Sequence, residues 1–405
     1  MWTVRPITED EAALFRSRIA RGFGSDPKND EESIGRFLEV FEIERTFAAF
    51  DGEDIVGTGG AFSFQLTVPG RRTVGMGGTT IIAVQPTHRR RGVLSAMMGY
   101  HLDEVAKRGE PLAGLWASES SIYGRFGYGV SSEMWDATME AGRIVFPEPV
   151  IEGAVELIDH EDAEPLLRTV FEAARLERPG MLSRSDTWWR LRRMRDPEDD
   201  RNGMSARRYA VYRVDGEVEG YATFRQKEKW DEPFAAGKVS IIELIALTPR
   251  AHTALWSFLT NIDLFPTVVW WNMPVDDPLP AKVTDGRRVL GPRFDSLWLR
   301  ILDVPAALEA RGYERDGELV FSIRDDARTA GTYRLTVSAG EGRCHRVDEG
   351  SDVVLTIQTL SALYLGGASL SRAAAAGEAE GSREDLIALG QVLRTEQAPW
   401  CPEIF

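Results

Sequence analysis

The sequence predicts a mixed α/β and α+β architecture in three units: two successive strand–helix units of one design, then a smaller unit of strands followed by helices. Three observations carry this expectation. The chain has 405 residues, enough for two to four domains at the usual size of ~100–200 residues each. A series of elements in the first third recurs in the same order in the second. The remainder alternates strand-like runs and then closes on two helical stretches.

The first unit opens with a short strand at Trp2 to Arg5, and Thr8 with Glu11 three residues later forms a capping box for a helix to about Ala20. Phe47–Phe50 and Ile55–Phe62 read as two strands turning at Asp51-Gly52, whose residues tolerate positive φ. Thr79–Val84 is a short apolar strand that Gln85-Pro86-Thr87 breaks. His88-Arg89-Arg90-Arg91-Gly92 then leads into a long helix. Leu94, Met97, Met98, His101, Leu102 and Val105 repeat at helical spacing, and Gly109 follows Lys107-Arg108 as a C-terminal stop. A strand at Leu112–Ala117, a helical turn at Ile122–Phe126 and a strand from Tyr128 complete a unit of residues 1–145.

Residues 141–152, with Pro147 and Pro149, read as a linker. Beyond it Glu156–Asp159 and the following helix echo the opening. Ala210–Phe224, turning at Asp215-Gly216, echoes the hairpin, and Ile241–Leu247 with Pro249 echoes the broken strand. This second copy, residues 146–300, has Arg250-Ala251-His252-Thr253 where the first has its arginine run, so the chemistry of that run belongs to the first copy alone. The third unit, 301–405, has a helix from Val304 to Arg311, strands at 318–324, 332–338 and 352–356, and helices capped by Thr359 and Ser382, with an Ala-rich helical run at Arg372–Gly377. The tail Pro399–Phe405 is apolar for a chain end, which predicts docking.

Charge and cysteine usage exclude several classes. Lys plus Arg number 48 and Asp plus Glu 63, a net charge of −15, which argues against a nucleic-acid partner and favours a cationic one. Cys344 and Cys401 stand far apart and suit a reducing, cytoplasmic setting. There is no apolar run of membrane-spanning length, and the five histidines never fall at metal-ligand spacing, so neither membrane nor metal is expected.

The chemistry-bearing motif is the strand, proline break and Arg89-Arg90-Arg91-Gly92-Val93 turn that opens a helix. Unpaired N–H groups, the positive helix end and three guanidinium groups converge there, the physical make-up of a pyrophosphate site. Arg89-Arg90-Arg91-Gly92-Val93-Leu94 resembles the acetyl-CoA loop of the GNAT superfamily of N-acetyltransferases, with Leu94 at a position where that superfamily has a small residue. Thr87–Gly92, Ser118-Glu119 and Ile122–Gly129 resemble more narrowly the enhanced intracellular survival (Eis) family, over the whole chain. The resemblance implies two tandem GNAT-like domains, the second degenerate, a third domain similar to sterol carrier proteins, and a homohexamer. It also implies contacts of acetyl-CoA with Ile82, Ala83 and Val84, with Arg90, Arg91, Gly92, Val93, Leu94 and Ser95, and with Ser118 and Glu119.

Acetylation of an amine needs a neutral amine and a proton for the departing thiolate. A phenol of pKa ~10 is protonated at neutral pH and can supply that proton. The resemblance gives this part to Tyr123, with Tyr128 as the other phenol nearby, while His88 is expected to shape the loop. It gives the base to the C-terminal carboxylate, here that of Phe405. Asp26 and Glu403 are candidate anions for a polycationic small-molecule acceptor such as an aminoglycoside, and residues 23–37, with Phe23 and Phe37, form the region where the family varies its acceptor pocket. Protein lysines or polyamines are alternative acceptors. A separate class, an apolar-ligand carrier, would need an open cavity at Leu360, Leu363 and Leu365. No cysteine lies near the motif, so direct transfer in a ternary complex is expected.

Overall fold

A computed structural model describes residues 2–150, 152–289, 291–324, 327–351 and 353–405. The expected strand before the capping box is β1 (Thr3–Pro6), and the Glu11 carboxylate accepts from the Thr8 backbone N–H at 2.9 Å before helix α1 (Ala12–Gly22). A helix not foreseen, α2 (Glu31–Val40), follows. Asp30 caps it by accepting from Ser33 N, and Phe37 turns into the core. β2 (Thr46–Asp51) and β3 (Asp54–Val68) form the hairpin around Asp51-Gly52. β4 (Arg72–Val84) starts earlier than its apolar end predicts, because just over half of it is glycine, threonine and arginine, concentrated before Ile81.

Helix α3 (Val93–Lys107) buries Val93, Met97, Met98, Leu102 and Val105 on the expected face. β5 (Leu112–Trp116), helix α4 (Ser120–Tyr123) and β6 (Gly129–Val130) follow. The first sheet has the order β1-β2-β3-β4-β5, then a strand of residues Leu297–Ile301, then β6. The next strand, β7 (Glu133–Glu140), pairs in the second sheet, between the strands Arg293–Asp295 and Thr267–Pro274. The two sheets therefore exchange strands: residues 133–140 belong to the second and 297–301 to the first, on the opposite side from that expected of boundaries at 145 and 300.

In the second copy the hairpin Arg208–Val214 to Glu217–Lys227 turns at Asp215-Gly216, both with positive φ, and leads to the strand Lys238–Ala246. The third sheet carries strands Glu341–Val347, Gly331–Ser338, Gly317–Arg324, Val354–Thr356 and Ala379–Glu380, in that order. Of the strand expected at 352–356, Asp352 lies outside the described residues. Thr356, not Thr359, caps the helix Ile357–Leu363, because its side chain accepts from Thr359 N; Ser382 caps Arg383–Leu393 as expected. The Ala-rich helix is Leu370–Ala375, capped by Ser369. One apolar core runs from Phe62, Leu66 and Met76 of the first sheet to Leu335, Leu360 and Leu389 of the third unit.

Candidate active site

The anion cradle is assembled by local rules. Pro86 lacks an N–H and ends β4, and Gln85 N donates to Val56 O at 2.9 Å as the chain leaves the sheet. Arg90 (φ 61) and Gly92 (φ 82) are left-handed, a conformation in which successive N–H groups turn toward one point. No atom lies within 4 Å of a Cβ placed on Gly92, so conformation and not crowding requires glycine there. Gly92 is also the N-cap and offers no side chain, so the first-turn N–H groups of α3 stay available. Arg89, Arg90, Arg91 and Ser95 are exposed, Leu94 is half-buried and Val93 is buried in the core. Trp2 Nε1 donates to Arg91 O at 3.0 Å, and the His88 ring stands edge-on to Trp2 with Nε2 3.3 Å from Asp51, so His88 braces the loop.

The second copy shows by contrast what makes this turn special. Its helix Pro249–Thr260 is capped by Thr248, whose own side chain accepts from Ala251 N, and Arg250 is tied to Glu219 and Glu152. There one first-turn donor is occupied by the cap and Pro249 removes another, whereas the turn at Gly92 has no side-chain cap.

Beside the cradle the sheet opens. β4 pairs in parallel with β5 over Met76–Gly78 and Leu112–Gly114, yet β4 continues to Val84. A bulge at Ile81 (φ 48) lets Thr58 Oγ1 donate to Ile81 O at 3.0 Å and offsets Ile82, Ala83 and Val84, all half-buried, from the plain ladder. Ser118 and Glu119 are exposed in the loop after β5, and Glu119 leads into α4, which carries Tyr123. Tyr123 is buried, and burial, with Glu119 nearby, pushes its phenol up to about 12. Tyr128 stands edge-on to it at 6.1 Å but is sealed: its hydroxyl is 3.0 Å from Thr79 Oγ1, itself 2.6 Å from His101 Nε2. Burial holds the His101 imidazole down at about 3, so this chain is neutral and structural.

The C-terminal tail docks, and the reason is a buried charge cluster. Trp400 Nε1 donates to Asn272 O at 3.0 Å, and Asn272 Nδ2 donates to Cys401 O at 2.9 Å. Glu403 pairs with Arg184 and accepts from Trp188 Nε1 at 2.8 Å, while Arg184 also binds Glu243 at 2.5 Å. The Glu403 side chain is 2% exposed. This corrects the expectation that Glu403 holds substrate: its carboxylate is consumed by Arg184 in the interior. Phe405 ends the tail with its ring 5.0 Å from that of Phe64, and a Cβ on Gly78 would come within 3.1 Å of it. The tail thus terminates on β3 and β4 at the last paired residue before β4 and β5 part.

A cavity of about 440 Å³ lies between α1, α2, the bulge at Ile81 and residues Leu191–Arg195, and Asp26 stands on its rim. Phe37 lines it as well, while Phe23 is exposed. Sequence reasoning missed Arg16 and Arg192 here, and Arg184 under the tail, since isolated arginines leave no spacing signature. The carrier reading finds Leu360, Leu363 and Leu365 buried in the core shared with the first sheet. Among the described residues no group of His, Cys, Asp or Glu is placed to hold a metal, and no helix is long and apolar enough to cross a membrane. The open left-handed turn, its arginines and the parting of β4 and β5 fit a CoA pyrophosphate and pantetheine.

Comparison with known proteins gives matches to acetyltransferase (GNAT) domain models over residues 3–131 and 180–301, and to a sterol carrier protein domain over 304–402. An uncharacterised N-acetyltransferase of Streptomyces coelicolor is 38% identical over 99% of both chains. N-acetyltransferase Eis of Mycobacterium tuberculosis is 34% identical over 80% of this chain and 79% of its own. The crystal structure of Eis1 from Mycobacterium abscessus covers all of both chains with a TM-score of 0.86 at 29% identity.

Proposed function

Because the chain belongs to the Eis family of acetyl-CoA-dependent N-acetyltransferases, we propose that it acetylates a small-molecule amine by direct transfer in a ternary complex at the parting of β4 and β5. The observation that carries this reading is the docking of the terminal residue Phe405 on Phe64 and Gly78, beside the strand whose end forms the anion cradle. Bound acetyl-CoA supplies the activated acyl thioester. Backbone groups of Ile82, Ala83 and Val84 and the Ser118–Glu119 loop hold its pantetheine arm, and Arg90 to Ser95 hold its pyrophosphate.

The Phe405 α-carboxylate, with an ordinary pKa of ~3.3–3.7, is an anion at neutral pH. It pairs with the incoming ammonium and takes its proton through water, which frees the nitrogen lone pair to form the new C–N bond. As the C–S bond breaks, Tyr123 gives its phenolic proton to the departing thiolate, and the proton shed by the nitrogen as the amide forms restores the phenol. Tyr123 is the better donor because Tyr128 is locked to Thr79. Direct transfer is supported by the two cysteines: burial pushes Cys344 and Cys401 up to about 12, far from a nucleophilic thiolate.

A polycationic small molecule such as an aminoglycoside is the first acceptor class to test, with protein lysines and polyamines as the alternatives, and a homohexamer is the working assembly. The test is thiol release from acetyl-CoA against these classes, comparing the intact chain with one lacking Phe405. Loss of turnover with acetyl-CoA binding retained supports the mechanism; full turnover by the shortened chain overturns the carboxylate's part. Light scattering reads the assembly.

A further inference from the structure

The charge around the cavity between α1, α2 and Leu191–Arg195 is opposite to that of the whole chain. Five cationic side chains line it, Arg16, Lys28, Arg36, Arg192 and Arg195, against the single carboxylate of Asp26. Three of the five are neutralised at the surface: Lys28 by Asp199, Arg36 by Glu32 and Arg195 by Asp200. Among the described residues Arg16 and Arg192 form no ion pair. Arg16 donates to the carbonyls of Ser33 and Lys28, which fixes it on the cavity wall without cancelling its charge. Arg192 stacks 5.2 Å over the Trp188 ring and donates to Ile404 O at 3.4 Å, so it stands beside the tail.

The nearby acids are already committed. Glu403 is held by Arg184 and Asp30 caps α2. Ile404, next to Phe405, is apolar and 48% exposed. Crowding by protein lowers the pKa of both Arg16 and Arg192 from the guanidinium value, which still leaves them charged at neutral pH. Asp30 and Glu403 offset part of the charge on Arg16 and Arg192 respectively, but among the described residues neither guanidinium is held in an ion pair, which leaves both suited to carboxylate or phosphate oxygens and unfavourable to a polycation.

Resting on the acetyltransferase reading above, we propose that the acceptor is an amine that also carries an anionic group, a carboxylate or a phosphate, bound by Arg192 and Arg16 while its amine faces the Phe405 terminus. Arg192 sets this specificity from the tail side and Arg16 from the α1 side.

The test measures kcat/KM for matched amines: pentylamine against 5-aminopentanoate, glucosamine against glucosamine 6-phosphate, with kanamycin and spermidine as polycations. Binding of each to the protein with CoA is followed by calorimetry. The expected result is a preference of about tenfold or more for the anionic member of a pair, the two pairs distinguishing carboxylate from phosphate. Arg192→Gln is expected to reduce it to about threefold or less and Arg192→Lys to restore part of it, with the KM for acetyl-CoA unchanged. Preference for kanamycin or spermidine, or anionic amines that are neither acetylated nor bound, overturns the inference and leaves the acetyltransferase standing. A chain that binds no acetyl-CoA overturns both.

Discussion

Tyr123 is where burial and chemistry meet. A phenol raised to about 12 keeps its proton through the range in which an ordinary tyrosine, at ~10, loses it. The protonated form is the working one, so the contribution is complete at low pH and is lost only as pH rises through the folded value. The expected kcat profile therefore has no alkaline limb from this group up to about pH 10, and Tyr123→Phe lowers kcat by about 10²-fold or more with little change in acetyl-CoA KM. A Phe variant with wild-type kcat assigns the proton elsewhere. Glu403 behaves differently, since Arg184 and Arg193 both reach toward it and toward Glu243. Glu403→Gln leaves two guanidinium groups on one buried carboxylate and is expected to cost about 3 kcal/mol or more, read as a lower denaturant midpoint. A midpoint within error of wild type refutes that account of the docked tail.

At the scale of elements, the turn into α3 depends on Gly92, whose φ of 82 is strained for any residue with a Cβ. Gly92→Ala is expected to cost ~1–2 kcal/mol and to raise the KM for acetyl-CoA while leaving the acceptor KM alone; an unchanged KM would mean the cradle tolerates a different turn. This turn and its helix were legible because proline, glycine and apolar spacing act locally. Helix α2 was legible in principle, with Asp30 as cap and Ile34, Phe37, Leu38 and Phe41 at helical spacing, but its charged first turn masks the period. The strand Leu297–Ile301 announces itself as buried, yet nothing within it says which sheet it joins, since long-range pairing decides that. The cavity's arginines were illegible for the same reason: Arg16 and Arg192 become neighbours only after α1 and the segment around Leu191 fold together.

Across the molecule, the sheets and core do not divide where the family motifs do. Leu297–Ile301 pairs with β5 and β6 in the first sheet, and the core beneath that sheet is finished by residues of the third unit. A chain ending at residue 145 is therefore expected to show no cooperative thermal transition, and one ending at 301 to melt well below the intact protein; a stable, cooperatively melting 1–145 fragment would refute the dependence. The strand exchange also has a temporal side. On a ribosome adding about 5–20 residues per second, β5 waits roughly ten to forty seconds for its neighbour. Over that interval the nascent catalytic half carries an unzipped edge, open to pairing with other chains until residues 297–301 arrive.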